Sequence, residues 1–543
     1  MRSAPPPIDF VSVPRFDYLL RGGIVFDGTG VDGVLADVGI GGGNVAAVGD
    51  LSRAEAGETF DVRGKYVAPG FIDIHTHSDF TLLSSPGMES SVAQGVTTEI
   101  VGNCGIALGL AQAGEQFTLE QRGLLRAGIA LDWTHLDGFL TRVADTGIGA
   151  NIATLAGHGT IRKRVMGLAD RLPDTSELAE MERELETALG AGAVGLSSGL
   201  EYVPGMYADV AELTAMAKVA KRAGGFYATH LRDEGDHLEE AVAEALAVAE
   251  GAGLPLQLSH HKAERRANWG KVTRTLAMVD DAQARGVDVL LDQYPYTAYQ
   301  TSLATIALPP WAVAGSPEAQ AAKLADPVFR AKTRDAMPHI GVDFSLVQIS
   351  NCPAHREYQG RMLSAIAADE NRDVRDVILN ILSENEGWVS AAHFALSEAD
   401  VARVLSDDRV MIGSDGVAVS PIAPGTSDRP HPRTYGTFAR IFGRYVREQG
   451  VLTWAQAIRR MTSLPAQRIG LTGRGTLTAG CVADIVVFDP ETVGDAATFD
   501  APHVYARGIE LVFVGGTLAV RDGVLTGARS GAVLRRGGDG TVQ

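Results

Sequence analysis

The stretch Gly70-Phe-Ile-Asp-Ile-His75-Thr-His77-Ser-Asp79 decides the fold, because a short apolar run ends in two histidines separated by one residue. Side chains alternate along a strand, so His75 and His77 point to the same side. The pair stands at the carboxyl end of the run, where α/β barrels place their chemistry. Two adjacent imidazoles there form half of a metal site. Taken alone, the pair could equally be hydrogen-bonded histidines in a half-buried strand.

Composition and charge indicate a globular protein and exclude some kinds of partner. The chain has 543 residues, of which 45% are hydrophobic and 21% charged, as in an ordinary soluble globular protein. The formal net charge is −18, and no run of lysine or arginine reverses it locally. Such a field repels nucleic acid and anionic membranes, so neither is expected as a partner.

Cysteine usage and the start of the chain predict a cytoplasmic location. Cys104, Cys352 and Cys481 are widely spaced and form no disulfide framework, which favours a reducing compartment. The start, Met1-Arg-Ser-Ala-Pro-Pro-Pro-Ile, lacks the apolar core of a signal peptide. No run approaches the ~18 apolar residues of a membrane span. The oligomeric state cannot be read from these features.

Both ends of the chain read as short strands and turns. Gly22-Gly23 and Gly42-Gly43-Asn44 indicate turns between β-branched runs near the start of the chain, and Gly515-Gly516 indicates a similar turn near the end. We therefore expect residues 16–68 and 477–543 to form one small β-sandwich domain, preceded by an N-terminal arm of residues 1–15. Two separate β caps are the alternative.

The middle of the chain, residues 69–476, alternates apolar strands with helical runs. This alternation predicts an α/β fold with a parallel sheet, and eight such units predict a closed (β/α)8 barrel of the TIM type. More than a hundred residues separate the seventh strand end from the eighth, so this stretch should hold its own helices. We read residues 299–350 as an insertion that forms a lid. The predicted strands end near His77, Cys104, His158, Ser198, His230, His260, Tyr294 and Asp415.

Several of these strand ends carry metal-ligating side chains. The carboxyl ends of all eight strands lie on one face of a barrel, so residues far apart in sequence converge there. A cluster of imidazoles, a thiol and a carboxylate on one face is hard to explain as packing. The converging residues are His75, His77, Cys104, His230, His260 and Asp415.

This arrangement resembles the amidohydrolase superfamily, which places a His-x-His pair on strand one, histidines on strands five and six, and an aspartate on strand eight. Two-metal members usually carry a carbamylated lysine on strand four. Here strand four, Ala193-Val-Gly-Leu-Ser197-Ser198-Gly199, has no lysine, and Cys104 follows strand two instead. A thiolate is an anionic, soft ligand that suits Zn²⁺ and could bridge two ions.

With this departure from the usual pattern, the chain resembles the D-aminoacylase (N-acyl-D-amino-acid deacylase) family. That resemblance implies a tight zinc held by Cys104, His230 and His260, and a second, weaker position at His75 and His77 that shares the cysteine. It also implies that Asp415 is the catalytic acid and base. The motifs that carry it are Gly102-Asn-Cys104-Gly, Gly157-His158-Gly159, Ser197-Ser-Gly-Leu-Glu-Tyr202, Ser259-His-His-Lys262, Asp292-Gln-Tyr-Pro-Tyr296 and His431-Pro-Arg-Thr-Tyr435-Gly436.

The substrate's α-carboxylate needs cations or hydroxyl donors. Lys262 would reach into the barrel mouth, and Tyr202 and Tyr294 match the family's carboxylate-binding positions, with plain packing as the alternative for both tyrosines. Arg433 either clamps a carboxylate or orders its loop. His158 either binds substrate or forms a hydrogen bond within its loop.

The expected activity is zinc-dependent hydrolysis of small N-acyl-D-amino acids to a carboxylic acid and a D-amino acid. Family members that favour acidic D-residues place an arginine after Tyr-Pro-Tyr, but Tyr296-Thr-Ala-Tyr299-Gln300-Thr-Ser-Leu has none, so neutral or hydrophobic side chains are expected. Arg265 or Lys323 could supply a cation instead. The alternatives are a cyclic amidase of the hydantoinase or dihydroorotase kind, and a non-catalytic metal-binding barrel.

Overall fold

The computed structural model describes residues 15–111, 124, 128–421 and 428–543. Its strands are β1 (Arg15–Val25), β2 (Val34–Gly41), β3 (Asn44–Gly49), β4 (Glu55–Asp61), β5 (Tyr66–Pro69), β6 (Phe71–Asp73), β7 (Val96–Val101), β8 (Asn151–Thr154), β9 (Ala156–Gly157), β10 (Leu196–Gly199), β11 (Tyr227–His230), β12 (Leu256–Leu258), β13 (Val289–Gln293), β14 (Tyr299–Ser302), β15 (Val347–Asn351), β16 (Ser390–His393), β17 (Val410–Ile412), β18 (Ile485–Phe488), β19 (Ile509–Val514), β20 (Thr517–Arg521) and β21 (Val524–Leu525).

The α-helices among the described residues are α1 (Glu89–Val92), α2 (Leu136–Thr146), α3 (His158–Met166), α4 (Thr175–Gly190), α5 (Val210–Arg222), α6 (Leu238–Ala252), α7 (Val272–Ala284), α8 (Leu303–Ala307), α9 (Pro317–Lys323), α10 (Pro327–Ala336), α11 (Leu363–Asp369), α12 (Val374–Glu384), α13 (Glu398–Leu405), α14 (Arg433–Arg440), α15 (Trp454–Met461) and α16 (Ser463–Ile469). A π-helical segment, Ile441–Glu448, continues α14.

A closed barrel of parallel strands forms the centre of the fold. One sheet runs in the order β6-β7-β8 and the other in the order β9-β10-β11-β12-β13-β17, with parallel pairing throughout. Only Leu155 separates β8 from β9, so the two act as one strand. A parallel bridge between Thr76 and Gly416 joins the first strand to the last. The predicted (β/α)8 barrel is confirmed.

The helices cover the barrel because each has one apolar face. In α4, Asp174 and Glu177 form a capping box at the amino end, which satisfies backbone N–H groups that lack partners in the first turn. Met181 and Leu185, one turn apart, are fully buried, while the acidic face remains in solvent.

The two ends of the chain meet in one nine-stranded sheet. Its order is β21-β20-β19-β18-β5-β1-β2-β3, with β4 paired to β1. The antiparallel pair β5–β18 joins the early segment to the late one, from Tyr66 opposite Phe488 to Pro69 opposite Ile485. Alternate side chains such as Leu20, Val38 and Phe513 form a separate apolar core. Of the predicted arm 1–15, residues 1–14 lie outside the described residues.

The insertion between the seventh and eighth barrel strands has its own small sheet and its own core. The sheet order is β14-β16-β15, all antiparallel, and a distinct hydrophobic cluster runs from Leu303 to Ala391. The insertion therefore continues to His393, well beyond the predicted limit of residue 350. The sequence pattern missed this because β16 pairs with strands that lie far before it in the chain, β14 by about 90 residues and β15 by about 40.

His393 makes the stability of the insertion depend on pH. Its side chain is buried, and its Nδ1 lies 3.0 Å from the Tyr299 hydroxyl, which also forms a hydrogen bond with Glu264. Burial, followed by the charge of Arg265, lowers the pKa of His393 to about 4. Because the unfolded state keeps an ordinary pKa near 6.5, it binds protons first as the pH falls. Stability present above pH 6.5 is therefore lost between about 6.5 and 4.

We expect His393→Asn to flatten this acid-side loss, which amounts to about 3 kcal/mol in the free energy of unfolding for the wild type. The asparagine amide can still form a hydrogen bond with the Tyr299 hydroxyl but does not titrate. The measurement is Tm against pH from 4 to 7 for both proteins. His339→Asn, at an exposed position, serves as the control. Parallel curves for wild type and His393→Asn would contradict the assignment.

Candidate metal centre and active site

The structure brings the six predicted ligand and acid residues together at the carboxyl end of the barrel. The Cys104 Sγ atom lies 3.3 Å from His75 Nε2 and 3.5 Å from His260 Nε2. His230 Nδ1 lies 2.9 Å from His260 Nε2. His77 Nε2 lies 3.1 Å from an oxygen of the last member, Asp415. Residues separated by up to 340 positions therefore form one cluster.

The backbone at this cluster is strained. Cys104, His260 and Asp415 all have positive φ, at 52°, 33° and 50°, a region that non-glycine residues rarely enter. Residues held there cost about 1–3 kcal/mol each and concentrate at functional sites. Gly105, with φ of 72°, follows Cys104 where a Cβ would lie 2.6 Å from Gly199 N. The turn after β7 thus needs glycine to aim the thiol inward.

The donor set fits a zinc centre. Burial lowers the pKa of His230 to about 4 and holds the pKa of His260 well below its ordinary value, so both imidazoles are neutral and can offer a lone pair. Burial, reinforced by Asp415, raises the pKa of the Cys104 thiol. A bound cation reverses this, because a coordinating thiol is deprotonated outright. Sulfur and imidazole nitrogen are the ligands that zinc prefers.

Two overlapping ligand groups share His260. One group consists of His75, Cys104, His260 and Asp415, and the other of His230, Glu234 and His260; within each, the ligand atoms lie within 4.8 Å of one another. The arrangement can accommodate two neighbouring ions. Glu234 belongs to the second group although the sequence analysis did not select it.

A buried carboxylate, Asp292, orients two of the histidines. Its Oδ1 lies 3.1 Å from His75 Nδ1 and accepts a hydrogen bond from the His260 backbone N–H over 2.8 Å. Gln257 donates to the other oxygen. With Nδ1 facing this carboxylate, His75 keeps Nε2 for a metal. Asp292 opens the motif Asp-Gln-Tyr-Pro-Tyr, and this position at the end of β13 was the signal that could have revealed it.

Two glutamates support the other histidines. Glu234 Oε1 lies 3.0 Å from His260 Nδ1, and its Oε2 forms an ion pair of 2.6 Å with Lys262. Glu201 Oε2 lies 3.0 Å from His230 Nε2. Glu201 faces the ring nitrogen of His230 that points away from the cluster and so favours a tautomer whose free nitrogen points inward. On His260, the outward Nδ1 lies near both Glu234 and the Lys262 ammonium, which is 2.8 Å away. The spacing of the two glutamates, four residues after His230 and one before Tyr202, carries no recognisable signal.

Asp415 is held as a carboxylate. Burial raises its pKa, but Arg433 and then His260 more than offset this, and the net pKa lies well below the ordinary range. The Arg433 Nη1 atom lies 2.7 Å from Oδ2, whereas Oδ1 faces His77. The sequence predicted that Arg433 either clamps a substrate carboxylate or orders its loop. The structure shows a third arrangement, in which Arg433 forms an ion pair with Asp415, the predicted acid and base.

A cavity of roughly 440 Å³ opens over this cluster, and both the barrel and the insertion line it. Lys262, Tyr202, Tyr294 and Arg433 all contribute to its wall. The Tyr294 ring lies under two cations, 5.7 Å from Lys262 Nζ and 4.9 Å from the Arg433 guanidinium carbon. Its hydroxyl is buried and has no hydrogen-bond partner among the described residues. A ligand that accepts hydrogen bonds would satisfy it.

The prediction that His158 binds substrate is wrong. The residue is fully buried, its Nε2 lies 2.8 Å from Glu212 Oε1, and it is not among the residues that line the cavity. Arg162 donates to the same carboxylate. The reason is local: β9 ends at Gly157 and α3 begins at His158, so the side chain belongs to a helix start and not to a strand end.

The chain belongs to the amidohydrolase family, because the model of that family matches residues 58–520. It is similar to D-aminoacylase from Alcaligenes xylosoxydans xylosoxydans, with 37% identity over 96% of this chain and 98% of the relative. N-acyl-D-glutamate deacylase from the same organism is 39% identical over 96% of this chain and 97% of its own length.

A solved structure of N-acyl-D-glutamate deacylase from Bordetella bronchiseptica, complexed with zinc and a phosphonate inhibitor that mimics the tetrahedral intermediate, superposes with a TM-score of 0.81. It is 36% identical and covers 96% of this chain and all of its own. The resemblance stated from the sequence motifs is confirmed. Within the described ranges, none of the helices has the length and apolar character that crossing a membrane requires.

Asp292→Asn should lower metal affinity about 10–100-fold, since carboxylates behind metal-ligating histidines contribute on that scale. The change keeps the shape of the side chain but removes the charge facing His75. The measurement is zinc content after dialysis against graded concentrations of a chelator. Asp288→Asn, an exposed carboxylate preceding the same strand, is the matched control. Equal zinc retention in both variants would show that Asp292 does not support the centre.

Proposed function

We propose that this chain hydrolyses the amide bond of N-acyl-D-amino acids in a zinc-dependent reaction that yields a carboxylic acid and a free D-amino acid. The observation that carries the proposal is the convergence of Cys104, His230 and His260 beside Asp415, inside a cavity with the cationic wall of Lys262 and Arg433. The relatives named D-aminoacylase and N-acyl-D-glutamate deacylase, similar over 96% of the chain, support it.

Cys104, His230 and His260 would hold the tight zinc, and His75 and His77 a second, weaker ion that shares the cysteine. When bound, zinc supplies the Lewis acidity that polarises an amide carbonyl and makes water a nucleophile at neutral pH.

Asp415 performs the proton transfers. Arg433 engages Oδ2 and keeps the group ionised, so Oδ1, which faces the histidine pair, is the atom that accepts the proton of the attacking water. The same oxygen then delivers that proton to the departing amine nitrogen, without which the amine would be a poor leaving group. Arg433 thus acts on Asp415 as a positioning residue.

The cavity wall offers donors for the α-carboxylate of the substrate. Tyr294 has an unpartnered hydroxyl, and the ammonium of Lys262 and the guanidinium of Arg433 lie over its ring. Tyr202 stands on the other side, with its ring 4.7 Å from that of His230 and its hydroxyl 3.4 Å from Thr301 Oγ1. Burial lowers the pKa of Lys262, but Glu234 more than offsets this, so Lys262 stays charged.

We further propose that the substrate side chain is neutral or hydrophobic. Arg265 and Lys323, named above as possible cations for an acidic side chain, do not line the cavity: they donate to the backbone oxygens of Ile340 and Ala314. Two other cations, Lys163 and Arg429, do line it, and Arg429 donates to Asp500 O over 2.8 Å. The relatives include one named for N-acyl-D-glutamate, so relationship alone does not fix this preference.

A cytoplasmic location is part of the same proposal. Cys104, Cys352 and Cys481 are all free, and a thiol that serves as a metal ligand has to stay reduced.

Asp415→Asn should lower kcat about 10²–10⁴-fold, the usual contribution of a positioned acid and base, while zinc content stays at the wild-type level. The amide keeps the shape of the carboxylate but cannot accept the proton. The measurements are steady-state kinetics and metal analysis on the same preparation. Undiminished turnover would remove Asp415 from this role, and loss of zinc would make it a ligand instead.

A panel of substrates tests the reaction class. We expect N-acetyl-D-leucine and N-acetyl-D-methionine to be hydrolysed with kcat/KM about 100-fold or more above their L enantiomers, because the carboxylate donors and the acid fix opposite faces of the substrate. A hydantoin should not react. Turnover of the hydantoin but of no linear amide would identify a cyclic amidase, and no turnover by zinc-loaded protein would favour a non-catalytic barrel.

A further inference from the structure

One wall of the cavity differs in character from the cationic wall around Tyr294. It lies where the barrel meets the insertion, and Glu201, Glu264, Tyr299 and Gln300 contribute to it. Glu201 comes from the loop after β10 and Glu264 from the loop after β12, whereas Tyr299 and Gln300 belong to the first strand of the insertion. We call these four residues the acidic wall.

Hydrogen-bond acceptors dominate the acidic wall. The carboxylate of Glu264 is 14% exposed and that of Glu201 is 34% exposed. The amide oxygen of Gln300 is buried and has no hydrogen-bond partner among the described residues. Burial, followed by the charge of Glu201, raises the pKa of Glu264 to about 7. Burial, followed by the charge of Glu234, likewise raises the pKa of Glu201 to about 8, and the Tyr299 hydroxyl donates to Glu264. Two carboxyl groups with raised pKa values therefore face the cavity, where a bound cation would favour their ionised forms.

Few cations compensate these carboxylates. The Arg265 Nε atom lies 3.3 Å from Glu264 Oε1, but the guanidinium donates to Ile340 O over 2.7 Å and lies outside the cavity lining. Lys262 is already paired with Glu234. Glu264 is thus paired with one guanidinium, which approaches it from outside the cavity, while Glu201 lies against the imidazole of His230. A ligand group that donates hydrogen bonds would complete the balance.

That the cavity takes a ligand rests on a separate observation. The Tyr294 hydroxyl, on a side chain 2% exposed, has no partner among the described residues, and two cations lie over the ring that carries it. If the α-carboxylate binds there, the substrate's side chain is the part left to meet another wall of the same cavity.

We propose that the acidic wall, with Glu264 as its main determinant, receives the end of the substrate's side chain and selects an ammonium or amide over a carboxylate. The proposal rests on the proposed function but changes its side-chain preference: side chains that end in an amide or an ammonium take the place of hydrophobic ones. A carboxylate placed beside Glu264 would be a desolvated like charge, whereas an ammonium would pair with Glu264 and an amide would donate to it and to Gln300.

Two pairs of substrates of matched shape test this in the zinc-loaded, full-length enzyme. N-acetyl-D-glutamine and N-acetyl-D-glutamate differ in charge but hardly in size. N-acetyl-D-lysine and N-acetyl-D-norleucine share the same carbon chain and differ by the terminal ammonium. We expect kcat/KM to favour glutamine over glutamate, and lysine over norleucine, by about tenfold or more. Equal values, or a preference for glutamate, would overturn the proposal.

Glu264→Gln tests the determinant. The glutamine-to-glutamate ratio should fall about fivefold or more, and the lysine-to-norleucine ratio should fall with it, because the charge is lost while the shape is kept. Glu250→Gln, at an exposed carboxylate paired with Arg285, should leave both ratios as in the wild type. Unchanged ratios in a folded Glu264→Gln protein would assign the selection elsewhere.

The wild-type ratios decide the sign of the preference even if the variant does not fold. Failure of the proposed function has a different signature: no N-acyl-D-amino acid of any side chain, leucine and methionine included, would be turned over. Turnover of N-acetyl-D-leucine together with a preference for glutamate would retain the deacylase and reject the acidic wall as the selector.

Discussion

The site depends on how the first and last barrel strands are joined. The Asp415 backbone N–H donates to His75 O, and the His77 N–H donates to Gly416 O, each over 2.8 Å. These bonds lie at the residues that carry the chemistry. The seam that closes the barrel therefore also sets the distance between the histidine pair and the acid. If the seam opened, the barrel would lose its closure and the centre its geometry in one step.

Buried charge explains why the supporting residues are so tightly linked. Removing one partner of a buried ion pair costs about 3–5 kcal/mol, because the other charge is left uncompensated. Arg433 pairs with Asp415, Lys262 pairs with Glu234, and Asp292 lies against His75. Each of these groups limits where its neighbour can go. The centre is thus rigid before any ion binds, although three of its residues carry strained backbone.

The sequence sufficed for features that follow from strand period and barrel topology. The His75–His77 pair, Cys104 and Asp415 could be placed because the carboxyl ends of parallel strands share one face. The motif placed Asp292 at a strand end, but its contact with His75 could not be predicted, since it joins two strands that are not paired with each other. His158 was misassigned because a helix starts there. The extent of the insertion was missed because β16 pairs with strands far from it in the chain.

The catalytic residues and the residues that contact the substrate's side chain come from different parts of the fold. The metal ligands and Asp415 stand at barrel strand ends, which the closed sheet fixes. Tyr299 and Gln300 come from the insertion, which has its own sheet and its own hydrophobic core. Substitutions there can reshape one wall without moving the strand ends. Glu264 lies on a barrel loop but faces the insertion. A single charge at this position can therefore set the side-chain preference while the hydrolytic centre stays as it is.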